Sequence, residues 1–269
     1  MTKALVASDL DRTLIYSRKA RELGADDAPA VCVEVYDGEQ ISYMSAAAAE
    51  AFRALAARVV VVPVTTRVIE QYRRVRLPGP PPQYAIVANG GELLVDGRPD
   101  RAWKRTVAKR LAQSVPLADV WRHVGEVCRP EFTDKLRNAA GLFCYAVVRP
   151  SRLPDGFVAE LTAWAQQRGW RTSLQGRKLY WVPEQLRKGT AVREVAERVG
   201  ATTVLAAGDS LLDVDLLLAA DRGIHPRHGE LYDQGWSAPT VTCTAASGIA
   251  AGAEIVNWFG VTAASAVQA

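Results

Sequence analysis

Four apolar runs punctuate the chain, and each ends abruptly in small polar or acidic residues. ALVA (4–7) runs into Ser8-Asp9-Leu10-Asp11, and VVVVPV (59–64) runs into Thr65-Thr66-Arg67. YAIVA (84–88) stops at Asn89-Gly90-Gly91, and TTVLAA (202–207) stops at Gly208-Asp209-Ser210. Runs of this length with such flanks read as buried strands. Helical patterns lie between them. Ser45 caps an Ala-rich helix to about Arg58, a second helix follows Arg67 to about Arg74, and Lys188 opens a third that stops at Gly200. A Leu-rich helix runs from Asp213 to about Ala220. Strands alternating with helices predict a parallel sheet covered on both faces, with ligands held at the carboxyl ends of the strands. Residues 223–225 and 240–243 read as two more short strands, 248–258 as a closing helix, and the small polar tail from Thr262 as frayed. Residues 15–30, mixed and charged, read as a loop, and LPGPPP (77–82) as a rigid connection. Residues 31–36 alternate apolar and polar, Asp37-Gly38 is a turn signal, and 40–43 continue, so a β-hairpin is predicted here.

The middle of the chain has a different texture. Residues 93–97 give a short hairpin, and 101–115 and 117–128 have helical periodicity broken at Pro116. A strand at 141–148, a helix at 154–168 and a hairpin joining 170–174 to 178–182 across Gln175-Gly176 complete an α+β layer. The expected organisation is an α/β, Rossmann-like core of residues 1–90 and 184–269 with an α+β insert at 91–183.

Length and composition leave this picture standing. The 269 residues suit one large domain or a core with an insert, and 49% hydrophobic residues suffice for a substantial core. A net charge of +4 does not demand nucleic acid. Its distribution is uneven: 17 of the 33 Lys and Arg, but only 8 of the 29 Asp and Glu, fall between Arg98 and Arg187. The four cysteines form no CxxC pair, and Cys32, Cys144 and Cys243 lie in apolar runs, which reads as buried free thiols in a reducing cytosol. No signal peptide or membrane-length apolar run is evident, so a cytoplasmic protein with no membrane or nucleic-acid partner is expected; monomer and homodimer both stay open.

The candidate chemistry starts at Asp9 and Asp11. Residues i and i+2 of extended chain share a face, so both acids can address one point. Like charges that close raise each other's pKa unless a cation intervenes. With the Thr13 hydroxyl nearby, the pair points to a Mg2+ site beside a reactive carboxylate. Taken alone, the same residues also fit a strand end running into a polar turn. Thr65 alone fits a helix cap, Lys188 a solvated side chain, and Asp209 and Asp213 a cap and a surface acid.

Taken together in chain order, these residues resemble the four motifs of the haloacid dehalogenase-like hydrolases. DLDRTL matches the first, the threonine of PVTTR the second, the lysine of RKGTA the third and GDSLLDVDLL the fourth. The position of the insert, between the second and third motifs, resembles a C2 cap, as in Cof-type, sucrose-phosphate and trehalose-phosphate phosphatases and phosphomannomutase. The resemblance implies a Mg2+-dependent phosphomonoesterase acting on a small phosphorylated metabolite such as a sugar phosphate. Asp9 would be the nucleophile, and Asp11 the general acid and base. Asp9, the Asp11 backbone carbonyl and Asp209 would hold the metal, with Asp213 in the metal set to orient water or hold Lys188. Thr65, Thr66, Asn89, Lys188 and Ser210 would bind the phosphate. A phosphotransferase or mutase on the same scaffold, or an idle phosphometabolite-binding protein, is the alternative.

Two residues depart from the pattern. Arg12 stands where the family often has Gly, and its side chain either reaches toward the insert or the substrate or lies in solvent. Thr66 replaces the common Gly of a T-G-R pattern, which keeps the amide donor but narrows the pocket. Arg137, Arg177 and Lys178 are candidate anion contacts in the insert. Tyr180 and Trp181 read as packing, and His123, His225 and His228 as structural or surface residues.

Overall fold

The computed structural model describes residues 3–21 and 29–268. In chain order, β1 (Ala4–Ser8) is followed by a single turn, α1 (Arg18–Arg21), and by the hairpin of β2 (Ala30–Tyr36) and β3 (Glu39–Ser45). Next come α2 (Ala46–Ala56), β4 (Val60–Pro63), the one-turn α3 (Ile69–Tyr72), β5 (Tyr84–Val87), β6 (Glu92–Val95) and β7 (Arg98–Pro99). The middle contains α4 (Arg101–Leu111), α5 (Leu117–Val127), β8 (Thr133–Ala139), β9 (Phe143–Val148), α6 (Phe157–Gln166), β10 (Trp170–Gln175) and β11 (Lys178–Pro183). The chain closes with α7 (Lys188–Val199), β12 (Thr203–Ala207), α8 (Val214–Ala219), β13 (Arg222–His225), α9 (Glu230–Asp233), β14 (Val241–Cys243) and α10 (Gly248–Gln268). The loop read at 15–30 contains α1, and its residues 22–28 lie outside the described ones.

Two compact units result, one of residues 1–100 and 187–269 and one of residues 101–186. In the first, β14-β13-β12-β1-β4 form a parallel sheet. Every residue of β1 is buried, because a central parallel strand is covered on both faces. Ser45 starts α2 by accepting the Ala48 N–H at 3.1 Å, and the buried Phe52 and Leu55 of that helix join Val6, Leu205 and Ile224 of the sheet and Val256 and Phe259 of α10 in one core. The hairpin turn takes positive φ at both Asp37 and Gly38 (52° and 78°), as a tight right-twisting hairpin requires.

Several expectations are corrected. The third apolar run is not a full member of the parallel sheet. β5 touches the β4 side through a single parallel bridge, Val64 to Ile86, and pairs antiparallel with β6, which pairs with β7. Residues 91–100, placed in the insert by sequence, therefore belong to the first unit. The tail from Thr262 is not frayed: α10 runs to Gln268, with Thr262 and Ala263 buried. Its small residues are good helix formers or pack closely, and a polar composition does not distinguish those uses from a loose end. Cys144 is buried, but Cys32 and Cys128 are half-buried and Cys243 is exposed on an edge strand.

The second unit is a four-stranded antiparallel sheet, β10-β11-β9-β8. β8, TDKLRNA, has almost no apolar residues and gave no strand signal in the sequence; it is an edge strand, where charged side chains are tolerated. Trp181 and Tyr180 are buried, in keeping with packing. Arg177 pairs with Asp134, which also binds Arg149 at 2.7 Å, while Arg137 is exposed. Among the described residues no helix is long and apolar enough to cross a membrane.

Candidate active site

The site forms where β1 and β12 end side by side. Ser8 lies opposite Ala207, and the Asp9 N–H donates to the Ala207 carbonyl at 2.9 Å, so Asp9 and the Gly208-Asp209 turn leave adjacent strands at one level. Lys188, the first residue of α7, places its Nζ 2.7 Å from Asp9 Oδ1 and 2.5 Å from Asp213 Oδ1. All three side chains are buried. The other oxygen of Asp213 accepts the Asp209 and Ser210 N–H groups at 3.2 and 3.0 Å and the Ser210 hydroxyl at 2.7 Å. Gly208 permits this fold-back, since a Cβ there would lie 2.4 Å from the Asp213 Cβ. Ser210 thus spends its proton inside the loop, where it fixes Asp213.

Thr65 follows β4; its N–H donates to the Ile86 carbonyl at 2.8 Å and its Oγ1 accepts the Arg67 N–H at 3.1 Å. The hydroxyl proton remains for a further acceptor. Thr66 is buried beside it. Asn89, buried at φ 56°, donates its N–H to the Thr65 carbonyl at 2.9 Å and so braces the threonine turn from β5.

Arg12 takes a left-handed backbone (φ 65°) and is 26% exposed at its side chain. It turns back on the site, with Nε 3.7 Å from Asp209 Oδ2, so of the positions left open by the sequence the solvent one is not taken. Its carbonyl is held by His228 Nε2 at 2.8 Å, and His228 Nδ1 accepts the Gly248 N–H at 3.1 Å. His228 is therefore structural. Its burial pushes the imidazole down to about 4 from an ordinary 6.5. The neutral ring is favoured in the fold, so its contribution is present above about 6.5 and is lost as pH falls toward 4. Thermal unfolding across that window should show a loss of about 3 kcal/mol from this group, and His228→Gln, which can make both hydrogen bonds, should flatten that part of the profile.

Asp11 stands apart from the buried acids. Arg67 grips its carboxylate with both arms of the fork, Nε to Oδ2 and Nη2 to Oδ1, each at 2.7 Å. The third arm, Nη1, reaches Glu34 Oε1 at 2.8 Å. Glu34 also takes Arg74 Nε at 3.1 Å and the Ser42 hydroxyl at 2.6 Å. Burial works against the Arg67 charge, but Asp11 and Glu34 outweigh it and hold the guanidinium above its ordinary pKa. Arg67 and Glu34 were not singled out from sequence. Arg67 adjoins the threonine motif, but nothing in the sequence paired it with an acid. Glu34 was hidden by the alternation of β2, which implies that Val31, Val33 and Val35 face inward. Irregularities on both sides of Glu34 break the alternation, so Val33 and Glu34 are both buried while Val31 and Val35 are exposed.

The acid cluster is short of positive charge. Carboxylate oxygens of Asp9, Asp209 and Asp213 lie within 4.8 Å of one another, all buried. Burial pushes Asp9 up to about 7; Lys188 opposes the shift, and Asp213 and Asp11 add to it. Burial, with Asp9 and Asp213 adding, also raises Asp209 well above the carboxylate range. Lys188 keeps its proton: burial disfavours its charge, but Asp213 and Asp9 reverse that. Asp213 already has a partner for each oxygen. Asp9 Oδ2 and the Asp209 carboxylate are the groups left to meet a cation. An all-oxygen, electron-rich set of this kind fits Mg2+, which needs few protein ligands because it retains water.

No protein-family model matches the chain, and no curated protein sequence does. Solved structures do match. Sucrose-phosphatase from Synechocystis, solved with sucrose and phosphate, aligns at a TM-score of 0.65 with 17% identity over 97% of this chain and 99% of that one. A haloalkanoate-superfamily phosphatase from Bacteroides thetaiotaomicron aligns at 0.55 with 17% identity, covering 97% and 96%. A trehalose-6-phosphate phosphatase related protein aligns at 0.53, again with 17% identity, covering 97% and 99%. At these identities the likeness is one of fold, and it extends over nearly the whole of each chain: this protein has the fold of the haloacid dehalogenase phosphatases.

Proposed function

We propose that the chain is a Mg2+-dependent phosphomonoester hydrolase that acts in the cytoplasm on a small phosphorylated metabolite, a sugar phosphate or a related polyol or acid phosphate. The observation that carries this reading is the meeting of Asp9, Lys188, Asp209 and Asp213 at the carboxyl ends of two adjacent parallel strands. Asp9 Oδ1, held by Lys188, is the oxygen that attacks phosphorus, while Oδ2 would meet the cation. Protonated Asp11, with one oxygen still on an Arg67 N–H and the other released from the fork to carry the proton, gives that proton to the departing oxygen as the P–O bond to the alcohol breaks, and an aspartyl-phosphate remains. Asp11, now a carboxylate, takes a proton from water as that water attacks phosphorus; inorganic phosphate leaves and Asp9 is restored. The Thr65 hydroxyl and Thr66 amide bind phosphoryl oxygens, and Lys188 offsets charge that builds on them. Asp9, Asp209 and the Asp11 carbonyl would hold Mg2+, with Asp213 behind them fixing Lys188 and the loop. When bound, the ion supplies charge neutralisation for the phosphoryl group. The basic second unit is assigned to substrate selection, where its excess of Arg and Lys suits an anion.

The test is release of inorganic phosphate from a panel of phosphorylated metabolites, with Mg2+ and with chelator. Isomer formation without phosphate release would move the chain to the mutases. Tight binding of a phosphometabolite with no turnover of any ester would make it a sensor.

A further inference from the structure

We infer that Glu34 is a positioning residue for Asp11, acting through Arg67; this rests on the phosphoryl-transfer reading above, in which Asp11 moves the proton.

The three side chains form one line. Arg67 uses two arms on Asp11 and the third on Glu34, so its guanidinium plane is set from both ends. Bidentate contact in turn fixes the plane of the Asp11 carboxylate, which a single hydrogen bond would leave free to rotate. Arg67 is 10% exposed at its side chain and Glu34 wholly buried, whereas Asp11 is 37% exposed. The line therefore runs from a closed, fully hydrogen-bonded anchor to an acid that opens to solvent. Placing a carboxylate inside the hairpin is costly unless it is paired. Here β2 breaks its register on both sides of the residue, Ser42 comes from the opposite strand and Arg74 from the turn after α3 to satisfy it. A hairpin held only by its own packing would seat Val35 inward at this point. Instead Val35 is exposed and the anion is inside. The device gives Arg67 an anion behind it, so that its fork meets Asp11 in one orientation.

A residue that only staples the hairpin and one that aims a proton donor differ in what they do to different leaving groups. An alkoxide leaving from a sugar or glycerol phosphate needs a proton in the transition state, while the 4-nitrophenolate of 4-nitrophenyl phosphate leaves well without one. Glu34→Gln is expected to lower kcat/KM on an alkyl phosphate by about 10²-fold and kcat/KM on 4-nitrophenyl phosphate by less than about threefold, because kcat/KM reports the steps up to departure of the alcohol and not the later hydrolysis of the aspartyl-phosphate, in which Asp11 serves both esters as base. Asp11→Asn should show the same selectivity for the alkyl ester, and the double variant Asp11→Asn/Glu34→Gln should lose little beyond Asp11→Asn alone. Glu34→Asp should recover part of the alkyl-ester rate. Where Glu34→Gln does not fold, Arg67→Lys, which keeps a cation between the two acids but loses the fork, reads the same split. Equal losses of kcat/KM on both esters, or additive losses of kcat/KM on the alkyl ester in the double variant, would overturn the assignment. A wild-type protein that turns over neither ester would instead overturn the proposed function, and this inference with it.

Discussion

Asp9→Asn is expected to abolish phosphate release, by on the order of 10⁴-fold or more, because the proposed reaction runs through a covalent intermediate on Asp9 and an amide does not form it. Activity alone would not separate loss of the nucleophile from damage to the fold, and the electrostatics supply a second readout. Burial is the chief cause that pushes Asp9 up to about 7 from an ordinary 3.8. An acid whose folded value is raised contributes stability that is complete below its ordinary value and lost as pH rises through the folded one. In chelator above pH 7 the wild-type protein carries that full cost, with an upper bound of roughly 4 kcal/mol. Asparagine stays neutral and avoids it. The variant should therefore melt higher than wild type in chelator at pH 8, and should gain less from added Mg2+, because binding stabilises only the state that binds. A variant that melts lower in chelator would show that the Asp9–Lys188 contact outweighs the crowding of acids.

Lys188→Met should be the most destabilising single change at the site. The ammonium is 1% exposed and lies between two buried carboxylates. Removing it leaves both without a cation, a change that costs about 3–5 kcal/mol when one partner of a buried ion pair is lost. Against a total stability of about 5–15 kcal/mol, denaturant unfolding should detect it easily. Adding Asp213→Asn should restore part of the loss. The asparagine oxygen can still accept the Asp209 and Ser210 amides that Asp213 Oδ2 holds, and one buried charge is gone. A double variant less stable than Lys188→Met would mean that Asp213 serves mainly as a loop clamp and not as a partner of the lysine.

What could be read from the sequence follows from which interactions are local. β1 and β12 were legible because strands covered on both faces are apolar throughout and end abruptly in polar residues. Asp9, Lys188, Asp209 and Asp213 could be singled out because they stand at those ends, and the structure brings them to one point. β8 was not legible because an edge strand has no need of an apolar pattern. The final turns of α10 were misread because small residues serve a packed helix as well as a loose tail. The Asp11–Arg67–Glu34 line was invisible for another reason. Its members come from three separate segments, and the register breaks that turn Glu34 inward are set by pairing with β3, which no window on β2 alone contains.

The register of β1 has a genetic consequence. Its five residues pair one for one with Ala4 opposite Thr203 and Ser8 opposite Ala207, while Leu5 to Ser8 match Val60 to Pro63 on the other side. Side chains alternate faces along a strand, so losing one codon here would rotate every later position by half a turn and aim Asp9 into the helical layer. Frame-preserving deletions should thus be purged from this stretch far more stringently than from the turns between helices, even though each individual alanine or valine in it is chemically replaceable.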